Sequence, residues 1–241
     1  MIEFKKVWKK FGEQLVIKNL SLQIEPREIF FVLGVTGAGK TALIRMLIGL
    51  IKPDQGEILI DQERVETMSE DELKELRRKC GMIFQFPTLF DSLTVFENIA
   101  FGLRRHFALS ESEIKERIRS LLNLLHLAPE VAEQFPEKLS FGMQKRVSFA
   151  RAVALEPKYL LYDEPTTGLD PFTARQINRL ILELRQKLGI TSIVVSHDLE
   201  SMRAVSDRAG LLHQGDFVLI AKPQDFEKSG NPFVRQFLEA G

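Results

Sequence analysis

The sequence predicts an α/β domain with a mostly parallel sheet and a helical insertion. Strand-length apolar runs alternate with stretches of helical periodicity along most of the chain, which is typical of a parallel sheet covered by helices. Residues 94–155 depart from this alternation, because nearly all of them have helical spacing. We therefore expect an α/β core interrupted by a helical subdomain.

The composition limits the class of protein. The chain has 241 residues, 44% of them hydrophobic, so a sizeable core is expected. Zero net charge, from 33 basic and 33 acidic residues, argues against a protein that binds nucleic acid mainly by electrostatic attraction. The single cysteine, Cys80, predicts a buried thiol and a reducing compartment. We expect neither a signal peptide nor a membrane span, so spanning helices would belong to another chain.

The first half of the chain predicts strands on either side of a glycine-rich loop. Residues 1–24 alternate around the turn-like FGEQ, which predicts β-strands. The apolar run Ile29–Gly34 is typical of a buried strand, and residues 41–51 have helical spacing. The next predicted elements are a strand at EILI, a charged helix over Ser69–Lys79 with Ser69 as its N-cap, and a strand at GMIF.

The second half returns to alternating elements after the helical block. That block has breaks at Ala128–Pro129 and over 134–140. The elements predicted after it are a strand at KYLLYDE, a helix over Pro171–Gly189, a strand at ITSIVVSHD, a helix at LESMRAVSD and two strands in AGLLHQGDFVLIA.

The segment GVTGAGKT matches the P-loop pattern and lies between a predicted strand and a predicted helix. Glycines let backbone N–H groups approach phosphate oxygens, and the following helix adds its positive end. The ammonium of Lys40 can reach the terminal phosphates, and the hydroxyl of Thr41 can ligate Mg²⁺. The residues predicted to bind ATP here are Gly34, Val35, Thr36, Gly37, Ala38, Gly39, Lys40 and Thr41.

Hydrolysis needs further groups, and strand ends supply candidates. Asp163 and Glu164 end the apolar strand YLLYDE, where Asp163 can hold Mg²⁺ through water and Glu164 can polarise the attacking water. His197 ends SIVVSHD; a lone strand-end histidine is more often structural, but together with the other elements its neutral imidazole is a candidate sensor of the γ-phosphate. Gln85 comes at the end of the strand GMIF. A lone glutamine there would be unremarkable, and a functional role is indicated only by the ordered set of motifs described next.

Read in order, GVTGAGKT, Gln85, LSFGMQ, YLLYDEP, TGLD and SHD resemble the ATP-binding subunits of ABC transporters, over essentially the whole chain. The resemblance implies a P-loop NTPase fold with a RecA-like core, an antiparallel β-subdomain and an inserted helical subdomain. The implied boundaries are 1–88 with 156–222 for the core and β-subdomain, 89–155 for the helical subdomain, and 223–241 for a tail. It also implies a head-to-tail homodimer around two ATP molecules.

Individual roles follow from the resemblance. Phe11 aligns with the aromatic residue that stacks on adenine, with Trp8 as the competing candidate. Gln85 would approach Mg²⁺ and the attacking water, Glu164 would be the catalytic base, and His197 would be the switch histidine. All the hydrolytic positions hold the expected residue types, so the resemblance implies an active ATPase. Leu169 and Asp170 would form the loop that crosses the dimer interface.

The segment LSFGMQ aligns with the signature motif of the family. In the implied dimer, the hydroxyl of Ser140 and the N–H of Gly142 would close the far side of the γ-phosphate held by the partner. Phe141 departs from the family, which usually has glycine there, and Met143 stands where glutamine is usual. We expect the Phe141 side chain to point away from the phosphate, toward the interface or solvent.

Three segments, Leu89–Arg104, Leu160–Pro171 and the tail NPFVRQFLEAG, resemble the ATPases of Mla/Mce-type lipid transport systems. This resemblance implies phospholipid transport at the cytoplasmic face of a bacterial inner membrane. It also implies permease subunits, an MCE-domain lipid-binding protein and a STAS-like subunit as partners. The alternative is the ATPase of an importer for amino acids or another small solute.

Residues 86–98 are too apolar for a free loop and are expected to dock a permease helix or to pack inside the helical subdomain. The tail has an apolar face of Phe233, Phe237 and Leu238, which would pack on its own chain or reach a neighbour. The competing functions are a non-transport ABC ATPase, for which no coiled-coil insertion or second cassette is present, and a regulatory module without hydrolysis, which Glu164 and His197 disfavour.

Overall fold

The computed structural model describes residues 1–240, which form two β-sheets and surrounding helices. The strands are β1 (Ile2–Phe11), β2 (Gln14–Ile24), β3 (Ile29–Leu33), β4 (Gln55–Ile60), β5 (Glu63–Arg64), β6 (Cys80–Ile83), β7 (Tyr159–Asp163), β8 (Thr191–Ser196), β9 (Arg208–His213) and β10 (Asp216–Ala221). The α-helices are α1 (Lys40–Leu47), α2 (Glu70–Lys79), α3 (Val95–His106), α4 (Glu111–Leu124), α5 (Phe141–Val153), α6 (Pro171–Leu188), α7 (Leu199–Val205), α8 (Pro223–Phe226) and α9 (Pro232–Ala240).

The larger sheet has six strands in the order β10-β9-β3-β8-β7-β6. All of its pairings are parallel except β10 with β9, which confirms the predicted mostly parallel sheet. The register pairs Leu33 with Ser196 and Asp163 with Val195. The carboxyl ends of β3, β8, β7 and β6 therefore lie along one edge, where the P-loop, His197, Glu164 and Gln85 follow.

The smaller sheet is antiparallel, with the order β2-β1-β4-β5. Helices α1 and α2 pack with it and with one face of the larger sheet in one core, which includes Phe30 and Val32 of β3. Phe31 and Leu33, which alternate with them, point into a second core together with the helices from α3 to α7. A strand buried on both faces explains the continuous apolar run in the sequence.

Helices α3, α4 and α5 lie between β6 and β7 in the chain, as the helical spacing predicts. One break was not predicted from the sequence, at 107–110, where α3 ends and Ser110 caps α4. Ser110 and Glu113 form a capping box, which is the local reason that a new helix begins there. The predicted boundaries of the subdomains at 88/89 and 155/156 remain predictions.

Helix α1 is shorter than the predicted stretch of 41–51. It ends at Leu47, because the chain turns through Gly49 at a φ of 65°, a left-handed value that favours glycine. The N–H of Leu50 donates to the carbonyl of Arg45 at 2.9 Å and closes this turn.

Helix α9 packs on its own chain. Val234 is fully buried in the core, and the ring of Phe233 stacks on His213 with a centroid distance of 3.8 Å. The last residue of the predicted tail, Gly241, lies outside the described residues. No helix within residues 1–240 combines the length and the apolar composition needed to cross a bilayer.

Candidate active site

The P-loop joins the end of β3 to the start of α1. Gly39 precedes the first residue of α1 and has a φ of 103°, a value that residues other than glycine rarely adopt. A Cβ atom added to Gly39 would lie 3.0 Å from side-chain atoms of Val16 and Ile17 on β2. A glycine is therefore required where the loop turns its backbone toward the helix axis.

Lys40 is buried at the start of α1, and its ammonium points back across the loop. It donates to the carbonyl oxygens of Gly34 at 2.6 Å and Val35 at 3.2 Å. It also lies 3.5 Å from Oε1 of Glu164. An ammonium held at the mouth of a glycine loop, at the N-terminus of a helix, fits a bound phosphate chain.

Thr41 and Asp163 face each other across the same opening. The Oγ1 atom of Thr41 lies 3.4 Å from both carboxylate oxygens of Asp163. Burial, followed by the negative charge of Glu164, raises the pKa of Asp163 above its ordinary value. A cation between these oxygens would reverse that effect. Within residues 1–240 no group of three or more His, Cys, Asp or Glu side chains could hold a metal by itself. A Mg²⁺ ion here would rely on this hydroxyl, this carboxylate, the side chain of Gln85 in the same cavity, water and phosphate oxygens.

Glu164 follows β7 and lies between the P-loop and β8. Its Oε2 accepts hydrogen bonds from the hydroxyls of Ser196 at 2.7 Å and Thr167 at 3.0 Å. The Nδ1 atom of His197 lies 3.1 Å from the same oxygen. Burial alone would raise the pKa of Glu164, but the bonds from Ser196 and His197 and the charge of Lys40 outweigh it and lower the pKa. The carboxylate is therefore held ionised and oriented.

These groups share one cavity of about 580 Å³, within the size range of small-molecule sites. The structure thus brings together most of the predicted ATP, metal and catalytic residues. The residues that line the cavity are Thr36, Gly37, Ala38, Gly39, Lys40, Thr41, Ala42, Arg45, Gln85, Asp163, Glu164, Thr167 and His197. Gly34 and Val35 are outside this lining and contribute through their carbonyl groups to Lys40.

Neither aromatic candidate for adenine lines this cavity. Phe11 is the exposed last residue of β1, with the ammonium of Lys9 at 5.5 Å from its ring centroid. Trp8 lines a separate groove with Phe4 and Asn19. Stacking of Phe11 on adenine therefore remains a prediction.

The signature residues also lie outside the cavity of their own chain. Ser140 caps α5, its hydroxyl accepting from the N–H of Met143 at 3.3 Å. A Cβ atom added to Gly142 would lie 2.8 Å from the methyl group of Thr173, so the start of α5 closely approaches the start of α6. This separation is what a contact with a second copy requires, and that contact remains a prediction.

Asp170 is engaged within its own chain, as the N-cap of α6. Its carboxylate accepts from the N–H groups of Phe172 and Thr173, both at 3.0 Å, and from the Thr173 hydroxyl at 2.5 Å. These bonds lower the pKa of Asp170. Leu169 is half-buried against the core. The predicted contact of Asp170 with ATP is therefore not seen within one chain and remains a prediction for the dimer.

Three polar residues at the site were not predicted from the sequence. Thr167 and Ser196 orient Glu164, and Arg45 lines the cavity on the Asp163 side. Ser196 precedes His197 at the end of β8, beside β7, so its position at a strand end was a usable signal. Arg45 follows Lys40 at a spacing of five residues on α1 and has no local signal that separates it from a surface arginine.

Comparisons with known proteins agree with this geometry. The profile of the family described as "ABC transporter" matches residues 17–167. The methionine import ATP-binding protein MetN of Carboxydothermus hydrogenoformans is 40% identical over 223 residues, 92% of this chain and 66% of MetN, so the chain spans just under two thirds of that relative. The intermembrane phospholipid transport system ATP-binding protein MlaF of Escherichia coli K12 is 37% identical over 95% of this chain and 84% of MlaF.

A solved structure provides the same comparison in three dimensions. It is the dimeric, post-hydrolysis state of the ATP-binding cassette MJ0796 bound to ADP and Pi, with a TM-score of 0.83 and 34% identity. The likeness covers 92% of this chain and 99% of that one. The predicted fold class is thereby confirmed. The matched family profile, the similar relatives and the shared cassette fold lead to one conclusion: this chain is an ATPase that belongs to the ABC transporter family.

Proposed function

We propose that this chain hydrolyses ATP to drive the transport of phospholipids or other lipids between membranes. The observation that carries the motor function is the convergence of Lys40, Asp163, Glu164 and His197 in one cavity. The lipid assignment is supported by the resemblance of residues 89–104 and 160–171 to Mla/Mce-type ATPases and by the name of the MlaF relatives.

The chemistry follows from an exchange of partners at Lys40. Its ammonium is shared between loop carbonyls and Glu164. The γ-phosphate of ATP carries more charge than one carboxylate and would take over this ammonium, which frees one oxygen of Glu164 to accept a hydrogen bond from the attacking water. His197 and Ser196 keep the other oxygen in place. A Mg²⁺ ion held by Thr41, Asp163 and Gln85 would neutralise negative charge on the phosphates.

The working form in this proposal is a head-to-tail homodimer. The N-terminus of α5, with Ser140 and the N–H of Gly142, lies away from the cavity of its own chain and is available to the ATP of a second copy. Asp170 would stand at the same interface. Charge-assisted hydrogen bonds of this kind contribute roughly 1.5–3 kcal/mol each, so closure would depend on intact ATP.

A permease contact is supported by exposed aromatic side chains on both sides of Gln85 in the sequence. Phe86 is 65% exposed in a segment without helix or strand, and Phe84, Phe90 and Phe101 are also exposed. Val95 is buried, so part of the segment 86–98 packs inside the chain as the alternative interpretation expects. Exposed aromatic rings beside the active-site glutamine are suited to a helix from an integral membrane subunit.

The remaining partners and the location follow from the lipid assignment. The complex would contain permease subunits, an MCE-domain lipid-binding protein and a STAS-like subunit, at the cytoplasmic face of a bacterial inner membrane. No nucleic acid is expected. The second candidate is the ATPase of a small-solute importer, which the MetN relatives favour.

The two candidates are separated by purifying the native complex in detergent and analysing its subunits and bound lipids by mass spectrometry. We expect a permease, an MCE-domain subunit and phospholipid above the level of a detergent-solubilised control membrane protein. Recovery of a permease with a soluble solute-binding protein, and no enriched lipid, would favour the importer. Recovery of no membrane subunit would contradict the transport motor itself.

A further inference from the structure

Lys145 is a fully buried lysine on α5 that forms no ion pair within residues 1–240. Its ammonium donates to the carbonyl oxygens of Phe84 at 2.7 Å and Gln85 at 2.5 Å. Burial lowers the pKa of Lys145 to about 8, and the attraction of Asp163 offsets only part of this effect. A buried charge with only neutral partners costs stability, so an apolar residue would be the simpler solution for packing alone.

The two carbonyl groups belong to the first residues after β6. This strand ends at Ile83, so Phe84 and Gln85 no longer pair in the sheet. The ammonium of Lys145 thus donates to these two carbonyl groups just beyond the last paired residue of β6. The side chain of Gln85 lines the cavity that also holds Lys40 and Glu164. The position of this side chain thus depends on a backbone held from α5.

The same helix carries the signature segment at its start. Lys145 follows Ser140 by five residues, about 7.5 Å along a helix. A second cation of α5, Arg151, donates to the carbonyl of Thr88 at 2.7 Å. The segment 84–88 is therefore attached to α5 at three carbonyl groups, and a rotation of α5 would move this segment with it.

We propose that Lys145 is a positioning residue that makes the location of Gln85 follow the movement of α5. The inference rests on the proposed function, in which Gln85 contacts Mg²⁺ and the attacking water and α5 contacts the ATP of a second copy. When α5 closes on the ATP held by the second copy, Gln85 would then be aligned at the ATP held by its own chain. Lys145 touches neither nucleotide and acts only through the backbone of Phe84 and Gln85.

The test is a double-mutant cycle of Lys145→Met with Gln85→Ala in the full-length protein, measured as ATP turnover with Mg²⁺. We expect Lys145→Met to lower kcat about tenfold while the KM for ATP changes less than twofold, because the P-loop is untouched. Gln85→Ala alone should lower kcat at least as much. Since Lys145 acts through Gln85, the double variant should have the kcat of Gln85→Ala alone.

Val153→Ala is the matched control, because it removes packing from a buried position of α5 that lines a different cavity, together with Arg117 and Leu121. It should lower the melting temperature and leave kcat within twofold. Lys145→Gln, which keeps two N–H donors on a shorter side chain, should restore part of the lost kcat. It replaces Lys145→Met in the cycle if the methionine variant does not fold.

A wild-type kcat in Lys145→Met, or effects that multiply fully in the double variant, would overturn the inference while the proposed function stands. If Gln85→Ala itself left kcat unchanged, the role of Gln85 and the inference would both be wrong. A loss of kcat in Val153→Ala equal to that in Lys145→Met would assign Lys145 a purely structural role.

Discussion

Glu164 has a backbone φ of 51°, in the left-handed region that is strained for a residue with a side chain. Such a conformation costs on the order of 1 kcal/mol and persists only where the surroundings hold it. Here its N–H donates to the carbonyl of Val195 at 2.9 Å, and Ser196 and Thr167 hold its carboxylate. The strained residue, directly after the end of β7, is therefore the proposed base itself.

Replacing this carboxylate by an amide should separate binding from chemistry. In Glu164→Gln, the side chain keeps its shape and the oxygen that accepts from Ser196, but it cannot accept a proton. We expect ATP turnover to fall at least about 100-fold, in line with the contribution of a general base, while ATP binding remains. Phosphate release and titration with a fluorescent ATP analogue measure the two effects. Turnover at the wild-type rate would show that Glu164 is not the base.

At the level of elements, the approach of α5 to α6 decides what the signature segment presents to a second copy. Gly142 lies so close to Thr173 that a side chain there would have to displace the Thr173 methyl group. The neighbouring phenylalanines remain partly exposed, with Phe141 at 37% and Phe172 at 65%. Part of the Phe141 ring therefore remains uncovered within its own chain. Its outer part faces the surface that the proposed dimer would bury.

Shortening Phe141 should therefore weaken the ATP-bound dimer. Burying the exposed part of this ring, roughly 70 Å² of apolar surface, would contribute about 2 kcal/mol per copy. We expect Phe141→Gly, in a Glu164→Gln background with ATP, to raise the dimer dissociation constant at least tenfold in sedimentation experiments. Phe101→Ala, which removes another exposed ring, on α3, is the control and should leave the dimer dissociation constant unchanged. An unchanged dimer in Phe141→Gly would mark the residue as neutral.

At the level of the whole molecule, a polar junction connects the two sheets. Asp61 lies between β4 and β5 of the antiparallel sheet and accepts hydrogen bonds from Lys158 and the Tyr159 hydroxyl, both at 2.7 Å. Tyr159 is the first residue of β7 in the parallel sheet. Burial alone would raise the pKa of Asp61, but the bonds from Lys158, Tyr159 and the N-terminal ammonium lower it to about 2.

This pKa predicts an acid-dependent loss of stability. Because the pKa of Asp61 is lower in the folded than in the unfolded chain, its contribution is complete above about pH 4 and disappears as the pH falls toward 2. We expect Asp61→Asn to lower the free energy of unfolding by about 2 kcal/mol at pH 7. Urea unfolding at pH 7 and pH 3 should show the difference shrinking in acid. Asp71→Asn, at an exposed position, is the control and should change the free energy of unfolding little. A loss in Asp71→Asn equal to that in Asp61→Asn would contradict a specific junction at Asp61.

Much of the fold and the centre of the site could be predicted from sequence, because the signals are local. The P-loop motif spans eight consecutive residues between a strand and a helix, and Asp163, Glu164 and His197 are marked by their positions at the ends of apolar strands. Parallel strands bring such ends to one edge, so the motifs had to meet. The break at 107–110 was missed because its capping box lies inside a long stretch of helical spacing.

The α/β class, the phosphate loop and the order of the chemical groups can thus be derived from the sequence alone. The tertiary structure decided how those groups contact one another, because contacts between distant residues depend on how layers pack. Thr41 meets Asp163 across 122 positions, Asp61 meets Lys158 across 97, and Lys145 meets Phe84 across 61. A lysine four residues before Phe149 and eight before Val153 lies on the same helix face as these apolar residues, yet only packing shows that its ammonium ends on the backbone of Gln85.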